Sequence, residues 1–147
     1  MFQNSRTRLI EWGDCDPAGI VFNPRYFEWF DAATAALFAA ALGMPKPEML
    51  RQHGILGIPL VDTRATFRAP CAFGDTVRID SAVEDLRRSS LDIRHRLWRA
   101  DGTLAVEGIE TRVWAVRDAT RPGGLRAAPF PAEVAARLTG AAQPILT

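Results

Sequence analysis

The stretch that decides the fold is Gly13-Asp14-Cys15-Asp16-Pro17-Ala18-Gly19-Ile20-Val21-Phe22-Asn23-Pro24-Arg25-Tyr26, which runs straight into an apolar segment. Asn23 is a residue type suited to N-capping. Pro24 suits the first helical position, where a missing N–H costs nothing and a fixed φ fits. A helix is therefore predicted to start at Pro24. It runs through Tyr26, Phe27, Trp29, Phe30, Ala33, Leu37, Phe38 and Leu42, and Gly43 is its natural stop. Apolar residues fall on nearly every side, which predicts burial over most of the circumference. Asp14 and Asp16 stand just ahead of this helix. The free N–H groups and positive dipole end of a helix N-terminus can hold a developing oxyanion while a carboxylate attacks or activates water.

Upstream of that stretch, Thr7 to Trp12 reads as a short first strand that delivers the chain to the Gly13–Gly19 loop. Downstream, Met44 to Gly57 holds Pro45, Pro47, Gly54 and Gly57 and reads as an irregular crossover, with one helical turn around Glu48 to His53. From Leu60 the period becomes two. Val61, Thr63, Ala65 and Phe67 alternate with polar residues, the pattern of a half-buried strand. Pro70 and Gly74-Asp75 turn the chain into a strand carrying Val77, Ile79 and Val83, and Arg87-Arg88-Ser89-Ser90 connects it to the next. There Leu91, Ile93, His95 and Leu97 share one face. Asp101-Gly102 is a hairpin turn. The last long strand runs from Leu104 to Val116, and Gly108 interrupts its alternation, which predicts a bulge or a close backbone approach. Arg117 to Pro129 reads as a loop, and Pro131 to Leu138 as a short closing helix that Gly140 ends.

One long helix followed by strands on short turns predicts an α+β fold, an antiparallel sheet with the helix across one face. The chain has 147 residues, the size of a single domain spanning 1–147. One helix leaves part of the sheet and an edge strand uncovered, so a homodimer or homotetramer is expected. A formal net charge of +1 gives no bulk reason to expect nucleic acid or an anionic membrane as partner. No segment has the length and apolarity of a membrane span or a cleavable leader, so a cytoplasmic location is expected. Cys15 and Cys71 lack zinc-site or disulfide-scaffold spacing and are expected as reduced thiols.

The two histidines, His53 and His95, are too few for a metal cluster, and no metal site is expected. No Gly-x-Ser-x-Gly elbow is present. His95 on an apolar strand face reads as a satisfied core residue, and Cys15 as a small thiol rather than a nucleophile. Taken alone, Asp16 before Pro17 is either a turn residue or a catalytic carboxylate. Asp14 reads as a loop-shaping acceptor. Asp31 lies roughly 12 Å beyond Asn23 at a rise of ~1.5 Å per residue, and needs an arginine partner if buried. Glu28 is placed to pair with Arg25.

The run from Gly13 to Tyr26, followed by Trp29-Phe30-Asp31-Ala32-Ala33, resembles the hot-dog-fold acyl-CoA thioesterases. It is most similar to the 4-hydroxybenzoyl-CoA thioesterases of the Pseudomonas type. The resemblance implies a sheet wrapped around one long central helix, active sites shared between paired subunits, and an acyl-CoA substrate with an aromatic acyl group. Neither a metal nor a redox cofactor is implied, coenzyme A being part of the substrate. Asp16 matches the nucleophile or general base, and the backbone N–H of Asn23 matches the donor that polarises the thioester carbonyl. Close relatives often carry an aromatic residue or histidine at Asn23; because the amide is the donor, the chemistry does not depend on that side chain. Asp31 matches a group that meets the far end of the acyl chain, and Arg87, Arg88 and Ser89 match the surface that holds the CoA nucleotide. A broader aryl or short-chain thioesterase and a non-catalytic acyl-CoA-binding protein are the alternatives.

Overall fold

A computed structural model describes residues 1–140; residues 141–147 of the predicted domain lie outside the described ones. In chain order the elements are β1 (Gln3–Leu9), α1 (Pro24–Leu42), α2 (Lys46–His53), β2 (Ile55–Gly57), β3 (Leu60–Phe67), β4 (Thr76–Leu86), β5 (Ser90–Arg99), β6 (Leu104–Val113), β7 (Ala115–Arg117), β8 (Leu125–Ala127) and α3 (Ala132–Leu138). The main sheet has five strands in the order β1-β4-β5-β6-β3, every neighbour antiparallel. Register shifts at Val83/Asp85, Leu97/Trp98 and Leu60/Asp62 interrupt its ladders. Such irregularities bend strands, and here they accompany a sheet that packs against one helix.

The ends of α1 fall where Pro24 and Gly43 predict. Gly43 adopts a left-handed φ of 68° and returns its N–H to Ala39 O at 2.9 Å. The Asn23 side chain, however, does not cap. Its backbone is already helical, at φ −48° and ψ −41°, and its side chain makes no capping bond. A cap needs an extended backbone to swing its oxygen over the first turn, so the helical geometry forfeits that bond. The burial of α1 is also narrower than predicted. Tyr26, Trp29, Phe30, Ala33, Thr34, Leu37, Phe38, Ala41 and Leu42 are buried, while Asp31, Ala32 and Ala40 are exposed in the single protomer.

The buried face makes two apolar clusters against the sheet. One gathers Tyr26, Trp29, Phe30 and Ala33 with Val77, Ile79, Leu97 and Val106; the other gathers Leu37, Phe38 and Leu42 with Val83, Leu91, Ile93 and Trp114. Thr34 sits between them on the helix. Beneath it the sheet contributes Ser81, His95, Glu110 and Arg112, all buried, so a polar belt crosses the middle of the core.

Other elements depart from the sequence reading. The first strand is Gln3–Leu9, and Trp12–Asp14 forms a 3-10 turn instead of its end. The crossover holds a full helix, α2, and a short strand, β2. The region from Arg117 to Pro129 folds back as a small hairpin, since β8 pairs with β7. Strand β3 keeps its alternation but is exposed at every residue except half-buried Ala65, because it pairs only with β6 at the sheet edge.

Candidate active site

The Gly13–Gly19 loop is a folded unit. Cys15 and Val21 form an antiparallel bridge, Asp16 N–H donates to Ile20 O at 2.9 Å, and Phe22 N–H donates to Asp14 O at 2.9 Å. Asp14 is buried and does the loop-shaping expected of it. Its Oδ2 accepts from Glu11 N–H at 2.9 Å and its Oδ1 from Arg8 Nη2 at 3.3 Å. Asp16 is half-buried in the turn, and its Oδ1 accepts from Ala18 N–H at 2.8 Å. That bond fixes the orientation of the carboxylate.

Asn23 stands where this loop meets α1. Its carbonyl accepts from Tyr26 N–H at 3.2 Å, while its own N–H has no acceptor among the described residues. With Ile20, Val21, Tyr26, Phe67, Arg68, Ala69 and Pro70 it lines an open cleft of about 240 Å³. Asp16 is on the same folded loop but does not line that cleft within one protomer. Exposed Trp12, Phe22 and Phe73 surround the loop, and Trp12 meets Phe73 edge-on at 5.5 Å.

Cys15 is a poor nucleophile here. Burial, then the charges of Asp14 and Asp16, push its thiol above the usual range. His95 cannot serve it as a base, because the histidine is locked in the core. Its Nδ1 lies 2.7 Å from Ser81 Oγ, and its Nε2 lies 3.1 Å from both Thr34 Oγ1 and Glu110 Oε1. His95 is the satisfied core residue expected. Glu110 also accepts from Thr34 and, at 2.8 Å, from Arg112 Nη2. Burial drives its carboxyl up, but the bonds from His95 and Arg112 outweigh that and hold it at about 2.

Asp31 does find an arginine. Its Oδ1 accepts from Arg112 Nη2 at 2.7 Å, and its side chain remains 66% exposed. Asp31, Thr34, Phe38, Lys46, Met49, Ile58 and Arg112 belong to a second, smaller pocket that shares no residue with the Asn23 cleft. Arg87, Arg88 and Ser89 lie in the β4–β5 turn, at the Leu60 end of the sheet, whereas the cleft lies at the Phe67 end. One protomer therefore does not bring Asp31 or this turn to Asn23. Arg87 is moreover occupied by Asp85 at 2.7 Å and Asp92 at 2.8 Å, whereas Arg88 makes no ion pair among the described residues. Arg68, at the cleft, and the Arg112–Glu110 pair were missed in the sequence. For the latter a signal existed, since Gly108, Glu110 and Arg112 share a strand face by alternation, and two charges on an inward face need partners. Among the described residues no group of His, Cys, Asp and Glu is arranged to hold a metal ion, and no helix is long and apolar enough to cross a membrane.

An antiparallel sheet packed around one central helix, with a cleft at the helix head, defines a hot-dog domain. The chain belongs to the thioesterase-like superfamily, whose family model matches residues 10–138. It is 37% identical over 128 residues to the 4-hydroxybenzoyl-CoA thioesterase of Pseudomonas sp. strain CBS-3, covering 84% of this chain and 89% of that protein. The solved structure of that enzyme superposes with a TM-score of 0.85 at 33% identity, over 93% of this chain and 99% of the other. A gentisyl-coenzyme A thioesterase superposes with a TM-score of 0.78 at 29% identity, over 92% of this chain and 99% of the other.

Proposed function

We propose that the chain hydrolyses aromatic acyl-CoA thioesters, with 4-hydroxybenzoyl-CoA the first substrate to test. The observation that carries this reading is the unengaged N–H of Asn23, a residue at the head of α1 that lines the cleft, with Asp16 on the same folded loop. The thioester carbonyl oxygen sits against that N–H, where the helix dipole favours the negative charge that develops. The Asp16 carboxylate attacks the carbonyl carbon, or takes a proton from a water that does. The C–S bond breaks, and coenzyme A leaves as a thiolate, which needs no strong acid to assist it; where Asp16 itself attacks, water then cleaves the acyl–Asp16 anhydride, releasing the acid and restoring the carboxylate. The reaction calls on neither metal nor redox cofactor. An acyl-CoA substrate and two free cysteines, Cys15 and Cys71, favour a cytoplasmic setting.

The reading calls for a second copy. β3 is an unpaired edge with Leu60, Val61 and Phe67 exposed, a template for pairing with its like. Two such edges paired antiparallel about a two-fold axis would set the partner's Leu60 end beside this chain's Phe67 end. The partner's Asp31 would then approach the far end of the acyl group, and the partner's Arg88 and Ser89 the CoA phosphates. Arg87, held by two carboxylates, would shape that turn. A homodimer is the smallest unit with a complete site, and a homotetramer would hold two such pairs.

Asp16→Asn keeps an oxygen for Ala18 N–H and removes the charge. Release of free thiol from 4-hydroxybenzoyl-CoA should fall by about 100-fold or more, while circular dichroism and binding of the ester are kept. Undiminished release would overturn the assignment.

A further inference from the structure

The segment from Asp14 to Phe22 is a small hairpin whose two edges are held unequally. Phe22 N–H donates to Asp14 O and Asp16 N–H to Ile20 O, both at 2.9 Å, with Cys15 facing Val21 between them. The Ile20–Val21 edge is tied to a third extended segment. Val21 N–H donates to Cys71 O at 2.9 Å, Phe73 N–H donates to Gly19 O at 3.1 Å, and Ile20 bridges to Ala72. The opposite edge, Asp14–Asp16, carries the carboxylate, and among the described residues its backbone bonds outside the hairpin go to Glu11 and Trp12 of the adjoining 3-10 turn. Arg8 reaches that edge from β1. Its Nη2 donates to Asp14 Oδ1 at 3.3 Å, and its guanidinium carbon lies 4.7 Å from the centre of the Trp29 ring, which is buried on α1. One side chain thus joins the sheet, the hairpin and the helix.

Building on the thioester-hydrolase reading, we propose that Arg8 is a positioning residue: by anchoring Asp14 against Trp29 it sets the tilt of the hairpin on α1, and so the placement of the Asp16 carboxylate relative to the Asn23 N–H. Asp16 lies two residues beyond Asp14, roughly 7 Å at ~3.3 Å per residue. A tilt of about 10° at Asp14 therefore moves the carboxylate by roughly 1 Å, a misplacement that costs about 100-fold in rate. Asn23 does not follow the tilt, since its backbone is already helical and its carbonyl accepts from Tyr26 N–H at 3.2 Å. The ion pair adds little to global stability, because the Arg8 side chain is 41% exposed to water. Its effect is on geometry.

The test uses the purified oligomer with 4-hydroxybenzoyl-CoA. Arg8→Met keeps an apolar stem over Trp29 and removes the charge, so kcat should fall about tenfold or more while KM stays within about twofold, the mark of an interaction expressed in the transition state. Both bonds to Asp14 come from one nitrogen, Nη2, so Arg8→Lys, with a single ammonium, should recover most of the loss. Amide hydrogen exchange supplies a readout that a loss of overall stability would not reproduce. Asp16 and Phe22 N–H should exchange about fivefold faster or more in Arg8→Met, while Val21 N–H, bonded to Cys71, should keep its wild-type rate. Arg8→Gln serves for both measurements if Arg8→Met does not fold. Unchanged kcat, a change confined to KM, a loss in Arg8→Lys equal to that in Arg8→Met, or equal acceleration of all three amides would overturn the positioning role. Wild-type protein that releases no thiol would instead sink the hydrolase reading, and the exchange pattern would still decide whether Arg8 holds the hairpin.

Discussion

Phe30 and His95 lie face to face, ring centroids 4.9 Å apart and planes 3° from parallel, and on the β6 side of the ladder His95 is paired with Gly108. A Cβ added to Gly108 would come within 2.6 Å of Phe30 Cε2. Gly108 is not among the glycines with positive φ, so close approach, and not backbone freedom, requires it. Gly108→Ala should cost about 1–3 kcal/mol, the range for overpacking a tight core, and lower Tm by roughly 2–4 °C per kcal/mol. Thermal unfolding of Gly108→Ala, Phe30→Leu and the pair checks it. The double variant should lose less than the sum of the singles, because the smaller side chain clears the clash.

That arrangement also marks how far the sequence could be read. Pro24 and Gly43 bound α1 through backbone preferences that each residue carries by itself, and the interrupted alternation at Gly108 pointed to the close approach that Phe30 makes. His95 was placed on the inward face by the period of its strand. Its partners were not legible, because Ser81, Thr34 and Glu110 come from three other elements whose register is fixed by packing. For the same reason Asp31 was read as needing an arginine without showing that it would be Arg112. Strand β3 failed differently. Its alternation is real, but burial depends on what lies across it, and the head of α1 meets this edge at Phe67 while leaving that residue 46% exposed.

Acid should loosen the core through Glu110. Its carboxyl ionises at about 2 in the fold against 4.5 ordinarily, so the fold favours the charged form. A depressed carboxylate contributes stability that is fully present above its ordinary value and is lost as pH falls toward the folded one. The loss should therefore develop between about pH 4.5 and 2 and amount to on the order of 3 kcal/mol. Urea unfolding across that window should show a steeper decline in the wild type than in Glu110→Gln, which starts less stable and has no proton to take up. Parallel curves would show that Glu110 does not govern the acid limb.

Cys15 sits beside Asp16, yet its thiol is raised by burial and by two neighbouring carboxylates. It should be largely unreactive at neutral pH. Cys15→Ala should leave thioester cleavage within about twofold of wild type, since no step uses the sulfur. Alkylation by iodoacetamide at pH 7 should be slower than for free cysteine and should quicken with rising pH. A hundredfold loss of turnover in Cys15→Ala would move the nucleophile from Asp16 to its neighbour.

The edge strand gives the most direct test of assembly. Leu60, Val61 and Phe67 leave 43%, 60% and 46% of their surface exposed on a strand bonded on one side only. Natural edges often avoid pairing by carrying charge; this one carries Asp62 and Arg64, opposite in sign, between exposed apolar side chains. Val61→Lys replaces an apolar side chain at the seam with a cation that pairing would have to desolvate. Light scattering should show the wild type as a dimer or tetramer and Val61→Lys as a smaller species at micromolar concentration. If the site is shared between copies, thiol release should fall with dissociation and recover as protein concentration is raised. Full activity in a proven monomer would mean that one chain holds the whole site, and that Asp31 and Arg88 belong to another task.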